Sequence, residues 1–199
     1  MRAHERARHI AGVRPLRRTR LRLAPLAVIA VAATTAGVLA GAADADAMSF
    51  ARQACAGTAA APGAQPNVLL RRAARCAVNA ERRARGLAPL RGSRRLGRAA
   101  NAHAADMIAH RYFAHERAGW TLTGRLRAAG WNRDAAEAIG FGCRGLGTPA
   151  AVVQSWMASP PHRAILLGRA WHRAGIGLAV GSPLAMPCQD AGTWVLDAG

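Results

Sequence analysis

The sequence predicts an α+β fold in which helices cover a small, mainly antiparallel sheet. Three observations carry this. Apolar residues at helical spacing dominate the segment from Pro66 to about Ala129, strand-like stretches come mostly afterwards, and Gly, Pro and cap residues mark the joints. No internal repeat is visible, and 199 residues suit one domain plus an N-terminal leader.

Residues 1–47 read as that leader. Eight arginines and one acid in residues 2–22 run into an apolar stretch from Leu23 to Ala43, followed by Asp44-Ala45-Asp46-Ala47. This is the basic, apolar, small-residue order of a secretory signal, with cleavage expected after Ala45 or Ala47. The apolar run nearly spans a bilayer, so an uncleaved anchor is the alternative. Arg17-Arg18 precedes Thr19-Arg20-Leu21, a poor fit to a twin-arginine signal. Residues 48–65, mostly Ala, Gly, Pro and Gln, read as an arm before a domain at 66–199.

Four cysteines remain beyond the leader, Cys55, Cys76, Cys143 and Cys188. In an exported chain an even count predicts two disulfides, with three ways to pair them. Proximity in sequence favours Cys55–Cys76, which would pin the arm to the first helix, and leaves Cys143–Cys188. Neither a Cys-x-x-Cys pair nor zinc-finger spacing occurs.

In the domain, Leu69, Ala73, Cys76, Ala77 and Ala80 repeat at helical spacing from Pro66-Asn67, with Gly86 placed to end the helix. Leu87-Ala88-Pro89-Leu90 reads as an extended connector whose leucines pack underneath. Ser93 caps a second helix with an inner stripe of Leu96, Ala99, Ala100, His103, Met107 and His110. A short third helix fits Thr123 to Ala129, stopped by Gly130. Thr148-Pro149 opens a fourth, running to about Ala158 with Val152, Val153, Trp156 and Met157 as its apolar residues. Pro160 and Pro161 stop it, since proline lacks the amide donor and clashes with the preceding turn. His162 and Arg163 follow at that corner. Ala138–Phe141, Ala174–Val180 and Thr193–Leu196 read as strands, and glycines alternating with large residues in the second mark a face that something approaches closely.

Charge is extreme but not informative of sequence-specific partners. From Met48 onward 20 arginines face 7 carboxylates, a net +13, and the chain has no lysine. An alanine- and arginine-swollen composition of this kind follows from genomic GC bias. The arginines are scattered without the interleaved aromatics of single-strand binders, so no specific nucleic-acid binding is expected. Acidic envelope polymers are the more natural electrostatic neighbours of an exported chain.

Three residues stand out as chemistry. His115 closes Tyr112-Phe113-Ala114-His115 at a helix-to-loop joint, Glu137 lies among apolar neighbours at the mouth of a strand, and His162 sits at the proline corner. A carboxylate in such company is costly unless paired or liganding. Two imidazoles and a carboxylate meeting in a cleft would suit a divalent metal such as zinc, or a hydrogen-bonded structural cluster. His103 and His110, with Asp106 between them, read as capped or paired core histidines. Ser155 and Ser159 lack a nucleophile elbow.

The order of motifs resembles the CAP superfamily of cysteine-rich secretory, antigen 5 and pathogenesis-related proteins, in its short bacterial branch. The pieces are Val78-Asn79-Ala80-Glu81-Arg82 with Gly86-Leu87-Ala88-Pro89-Leu90, Ala102–Met107, Tyr112–His115, Arg125–Trp131, Ala136-Glu137-Ala138-Ile139 and Trp156-Met157-Ala158-Ser159-Pro160-Pro161-His162-Arg163. The likeness covers about residues 70–199. It implies a three-layer α-β-α sandwich with a cleft lined by His115, Glu137 and His162. Where many members carry a second cleft glutamate, Gln154 is the nearest polar residue. Ala138 stands in place of an asparagine and Pro161 in place of a glycine.

With no nucleophile and no complete acid–base pair, the expected function is an exported, non-catalytic binding module for a lipid or cell-envelope component. A metal-dependent hydrolase, with His115 and His162 holding the cation and Glu137 as general base, is the alternative. A structural module whose surface arginines hold acidic polymer is the third reading.

Overall fold

The computed structural model describes residues 55–185 and 188–199; the predicted leader, residues 48–54 of the arm and the 186–187 pair lie outside the described residues. The elements are α1 (Asn67–Arg83), β1 (Arg91–Gly92), α2 (Arg94–Ala109), α3 (Leu122–Ala128), β2 (Ala136–Gly142), α4 (Pro149–Ala158), α5 (Pro160–Leu166), β3 (Arg173–Val180) and β4 (Gly192–Ala198). They form one four-stranded sheet in the order β1-β3-β4-β2, antiparallel except for the short β1–β3 pair. The α+β expectation and the mainly antiparallel sheet both hold.

Period-2 alternation along β2, β3 and β4 splits the side chains between two faces. Ala138, Ala174, Ile176, Leu178, Trp194 and Leu196 point to one face, where α1, α4 and α5 bury Leu70, Val78, Val152, Val153, Trp156 and Leu166 against them. Ile139 and Val195 point to the other, beneath Ala100, Ala104 and Met107 of α2. Leu126, Ala129 and Trp131 extend that second layer through α3. The result is a three-layer sandwich. The large indoles in it are satisfied, Trp156 donating to the Ile139 carbonyl and Trp194 to that of Gly147, each at 2.9 Å.

Local signals explain the helix starts. Ser93, Thr121 and Thr148 each accept a backbone N–H three residues on. Capping by Thr121 starts α3 one residue before the expected Thr123 and ends it at Ala128. Ser159 is extended, and Pro160 and Pro161 fill the first turn of α5, where a missing N–H costs nothing. The expected stop is therefore also a restart, and it puts His162 on the first turn of a new helix.

Three expectations need correction. Leu69 is exposed and Leu70 buried, so the inner face of α1 keeps the expected Ala73 and Ala80 but turns toward Leu70, Ala74 and Val78. His110 is exposed at the α2 C-cap rather than on its inner stripe. β2 begins at Ala136, so Glu137 lies inside a strand rather than at its mouth. Both disulfides form in the expected pairing, Cys55–Cys76 and Cys143–Cys188, each with Cα atoms 5.7 Å apart. The arm after Cys55 is a run of turns, tied to α4 by the Ala150 N–H donating to the Thr58 carbonyl.

Arg82 is a buried rivet. Its guanidinium donates to the carbonyls of Ala88, Leu166 and Gly168, joining α1, the connector and the end of α5. Asn79 pairs with both backbone groups of Leu90. These two contacts account for the Asn-x-x-Arg spacing on α1, and they bury Leu90 while Leu87 stays half-exposed.

The glycine-rich face of β3 is where α2 lies. A Cβ at Gly175 would collide with the Gly97 nitrogen, and one at Gly177 with the Ala100 carbonyl group. Both collisions are with backbone, which cannot rotate aside. Gly177→Ala is therefore expected to cost about 3 kcal/mol of stability, read as a lowered urea midpoint with an unchanged m-value.

Candidate functional site

α2 and α3 bring their side chains onto the β2–β4 part of the sheet, and there the apolar layer is interrupted by charge. Glu137 of β2 and Arg125 of α3 are both buried, with Arg125 Nη2 donating to Glu137 Oε2 at 2.6 Å. Arg125 Nη1 donates to the carbonyls of His115 and Trp120 at 3.0 and 3.1 Å. One guanidinium thus neutralises the buried carboxylate and also fixes the backbone of the loop that carries His115. Removing either partner would leave the other as an uncompensated buried charge.

His115 completes the contact from the solvent side. Its Nδ1 donates to Glu137 Oε1 at 3.0 Å, while its side chain is 52% exposed. This fixes the ring so that Nε2 is the edge left over for other partners. His162, half-buried on α5, lies beside it with ring centroids 6.5 Å apart and planes at 45°. The hydrogen bond to Glu137 raises the His115 pKa above its ordinary value. Burial, together with the His115 charge, pushes that of His162 below it. The two rings therefore take up protons in sequence, His115 first. The three residues singled out from the sequence do come together.

Behind them lies a second tier. His103 is fully buried on α2; its Nε2 donates to the Ala114 carbonyl at 3.1 Å and lies 3.6 Å from Glu137 Oε1. Burial lowers its pKa, with Glu137 pulling the other way. It is the paired core histidine that its position suggested. Asp106 accepts from Arg117 Nε and Nη2 and from Tyr112 Oη, and Arg117 chiefly holds its carboxyl down at about 2. His110 Nδ1 lies 3.0 Å from the same carboxylate.

Sequence reasoning passed over two members of this centre. Arg125 was visible only as part of a motif. Asp197 was hidden inside a strand reading Thr-Trp-Val-Leu-Asp-Ala. Asp197 is the direct cross-strand partner of Glu137, has no exposed surface, and neither oxygen accepts from any N–H or O–H among the described residues. Burial, then the Glu137 charge, raises its pKa well above the carboxylate range. Two buried carboxyls thus stand opposite each other on neighbouring strands, with one guanidinium bonded to Glu137.

Comparison with known proteins agrees with this architecture. The sequence profile of the cysteine-rich secretory protein family, CAP, matches residues 76–196. The chain belongs to the CAP family. A search of functionally curated proteins returns no match. Among solved structures it resembles an outer surface protein from Borrelia burgdorferi, at TM-score 0.53 and 18% identity over 63% of this chain and 87% of that one. It also resembles an extracellular SCP-domain protein from Bacillus anthracis (TM-score 0.52, 20% identity, 68% of this chain and 44% of that one). A third is a cysteine-rich secretory protein from Staphylococcus aureus (0.51, 19%, 69% and 40%). The CAP chain described here thus spans less than half the length of the last two.

The CAP cleft residues do not fit a three-ligand metal centre. Both Glu137 oxygens already accept from Arg125 and His115, and the carboxylate is buried. Two imidazoles holding one zinc at about 2 Å bring their centroids to about 5 Å in tetrahedral geometry, against 6.5 Å here. Among the described residues no three His, Cys, Asp or Glu side chains are grouped to hold an ion. The same burial denies Glu137 the exposure that a general base acting on water requires. Gln154 is exposed on α4, and Ala138 lies in the core on the opposite face of β2 from Glu137.

Two outcomes follow. Near pH 4 Asp197→Asn, an isostere of the protonated acid, should change stability by less than about 1 kcal/mol, whereas Arg125→Met should cost about 3–5 kcal/mol near neutral pH. A carboxyl whose folded pKa is raised stabilises below its unfolded value and loses that contribution as pH climbs. Urea titrations should therefore show wild type losing ground to Asp197→Asn as pH rises from about 4. In NMR titrations His115 should deprotonate above about 6.5 and His162 below it. The stabilising contribution of His115 is present below that pH and lost as pH rises through its folded value.

Proposed function

We propose that this CAP-family protein is exported by its 1–47 segment and acts as a non-catalytic binding module for an amphiphilic lipid or cell-envelope component. The observation that carries the reading is the division of labour in the cleft. Glu137 is consumed in holding Arg125 and His115, so the groups turned outward are two imidazoles, one of them the readier to carry positive charge. Such a pair binds an anionic or hydrogen-bonding head group without having a nucleophile to attack it. Beside it stands an apolar surface. Phe113, two residues before His115, is exposed and packs edge-on against Phe141 at 5.0 Å. Phe141 lies four residues along β2 from Glu137 and shares its face. The similarity to extracellular proteins and the two disulfides support export.

The test is a thermal-shift and native mass-spectrometry screen of fatty acids, lysophospholipids and wall fragments. It compares wild type with the His115→Ala/His162→Ala variant. A ligand that stabilises wild type and is lost in the variant is the expected result. Silence across both classes, or equal binding by both proteins, overturns the reading. Zinc titrated in parallel should give the same weak isotherm for both proteins. Tight binding by wild type alone, with metal-dependent ester or peptide hydrolysis, would replace the binding module by the hydrolase.

A further inference from the structure

Two sets of arginines among the described residues stand in contrast. Three have acidic partners: Arg85, just past α1, pairs with Glu81, Arg117 with Asp106 and Arg125 with Glu137. At the opposite edge of the sheet the pattern changes. β1 pairs with β3 only at Arg173 and Ala174, so α1 and α2 flank an open groove of about 480 Å³ over the rest of that edge. Five arginines line it, Arg71, Arg72 and Arg75 from α1 and Arg94 and Arg98 from α2, with no Asp or Glu among the lining residues. Arg94, Gly92 and Ser93 also border an adjoining hollow of about 410 Å³ that adds Arg95, Arg133 and Arg173, again without a carboxylate.

The cost of this arrangement is not repaid within the described fold. Arg71 and Arg75, and likewise Arg94 and Arg98, stand one helical turn apart, a spacing at which like charges destabilise a helix. Arg71 is steadied by Asn101 and Arg98 by the Ala129 carbonyl, which holds those two side chains in place without neutralising them. The side chains of Arg72, Arg75 and Arg94 have no hydrogen bond or ion pair to any described residue, and the Arg75 guanidinium lies directly against the bare backbone of Gly92. A Cβ at Gly92 would come within 2.8 Å of it. Guanidinium groups held in a concave surface without partners are an anion site in waiting.

We propose that this groove binds a linear, flexible polymer of phosphate groups. Two continuous hollows suit a chain better than a single oxyanion. Nucleic acid is disfavoured because no aromatic ring lines the groove between the helices. In the adjoining hollow Trp131 is 4% exposed, with the Arg133 guanidinium over its ring at 4.5 Å, so no open face remains for base stacking. The site is separate from the His115–His162 cleft and stands or falls independently of what that cleft binds.

The experiment measures binding of the full chain to inorganic polyphosphate of about 15 units by fluorescence polarisation across a salt series. A thymidine oligonucleotide of equal length and inorganic phosphate serve as comparison probes. Arg72→Gln/Arg75→Gln/Arg94→Gln removes the unpartnered guanidiniums and relieves their repulsion, so it should melt no lower than wild type. It should lose at least tenfold in polyphosphate affinity at low salt and flatten the salt dependence by about two to three phosphate contacts. Arg127→Gln/Arg144→Gln/Arg169→Gln, with the same change in net charge, should bind as wild type does, and so should the cleft variant. Equal losses in both arginine triples would mean diffuse charge attraction and overturn the site. Tighter binding of the oligonucleotide would overturn the polymer assigned to it, and saturation by inorganic phosphate alone would overturn the need for a chain.

Discussion

Glu137 can be buried only because Arg125 is buried with it. Taking either charge out of water alone costs several kcal/mol, and their 2.6 Å contact offsets this only because the remaining donors and acceptors are nearly all used. The guanidinium spends its other amino group on the loop backbone at His115 and Trp120, and the carboxylate spends its other oxygen on the His115 ring. The His115–His162 pair is therefore the visible rim of an internal charge pair. His115 is aimed by groups that solvent never reaches.

That charge pair needs a rigid floor, which the packing of α2 on β3 supplies. Two glycines let helix and strand backbones meet without intervening side chains, and this close approach sets where His103 and the loop after α2 emerge. On the opposite face bulky residues keep α1, α4 and α5 at ordinary distances. The sandwich is thus asymmetric, tight on the face that carries the polar centre and thicker on the apolar one. His162 arrives from the thick side, on the helix restarted by Pro160 and Pro161, and meets His115 beyond the edge strand β2.

Much of this was legible in the residues. Caps at Ser93 and Thr148, the alternation of large residues with Gly175 and Gly177, and the double proline each have a local cause, and each appears where its chemistry puts it. The trio of His115, Glu137 and His162 was legible through motif order. The phase of α1 was not, because Leu69 and Leu70 are adjacent and only the partner face decides which turns inward. Asp197 was illegible for a related reason. Nothing local distinguishes a buried aspartate near the end of a strand from an exposed one, and its meaning comes from strand register, which sets it opposite Glu137. Arg125 resembled every other arginine in a chain full of them.

The order of strands has a consequence for how the molecule is made. β4, the last of the four strands in sequence, lies between β3 and β2 and is buried along its whole length. Neither neighbour can complete its ladder until residues 192–198 have arrived, and the β2–β4 pairing joins strands far apart in sequence, a topology that slows folding. A nascent chain shorter than this has no finished sheet to trap it. The centre of the sheet is thus supplied by the last of its strands, laid between two flanks that precede it in the chain.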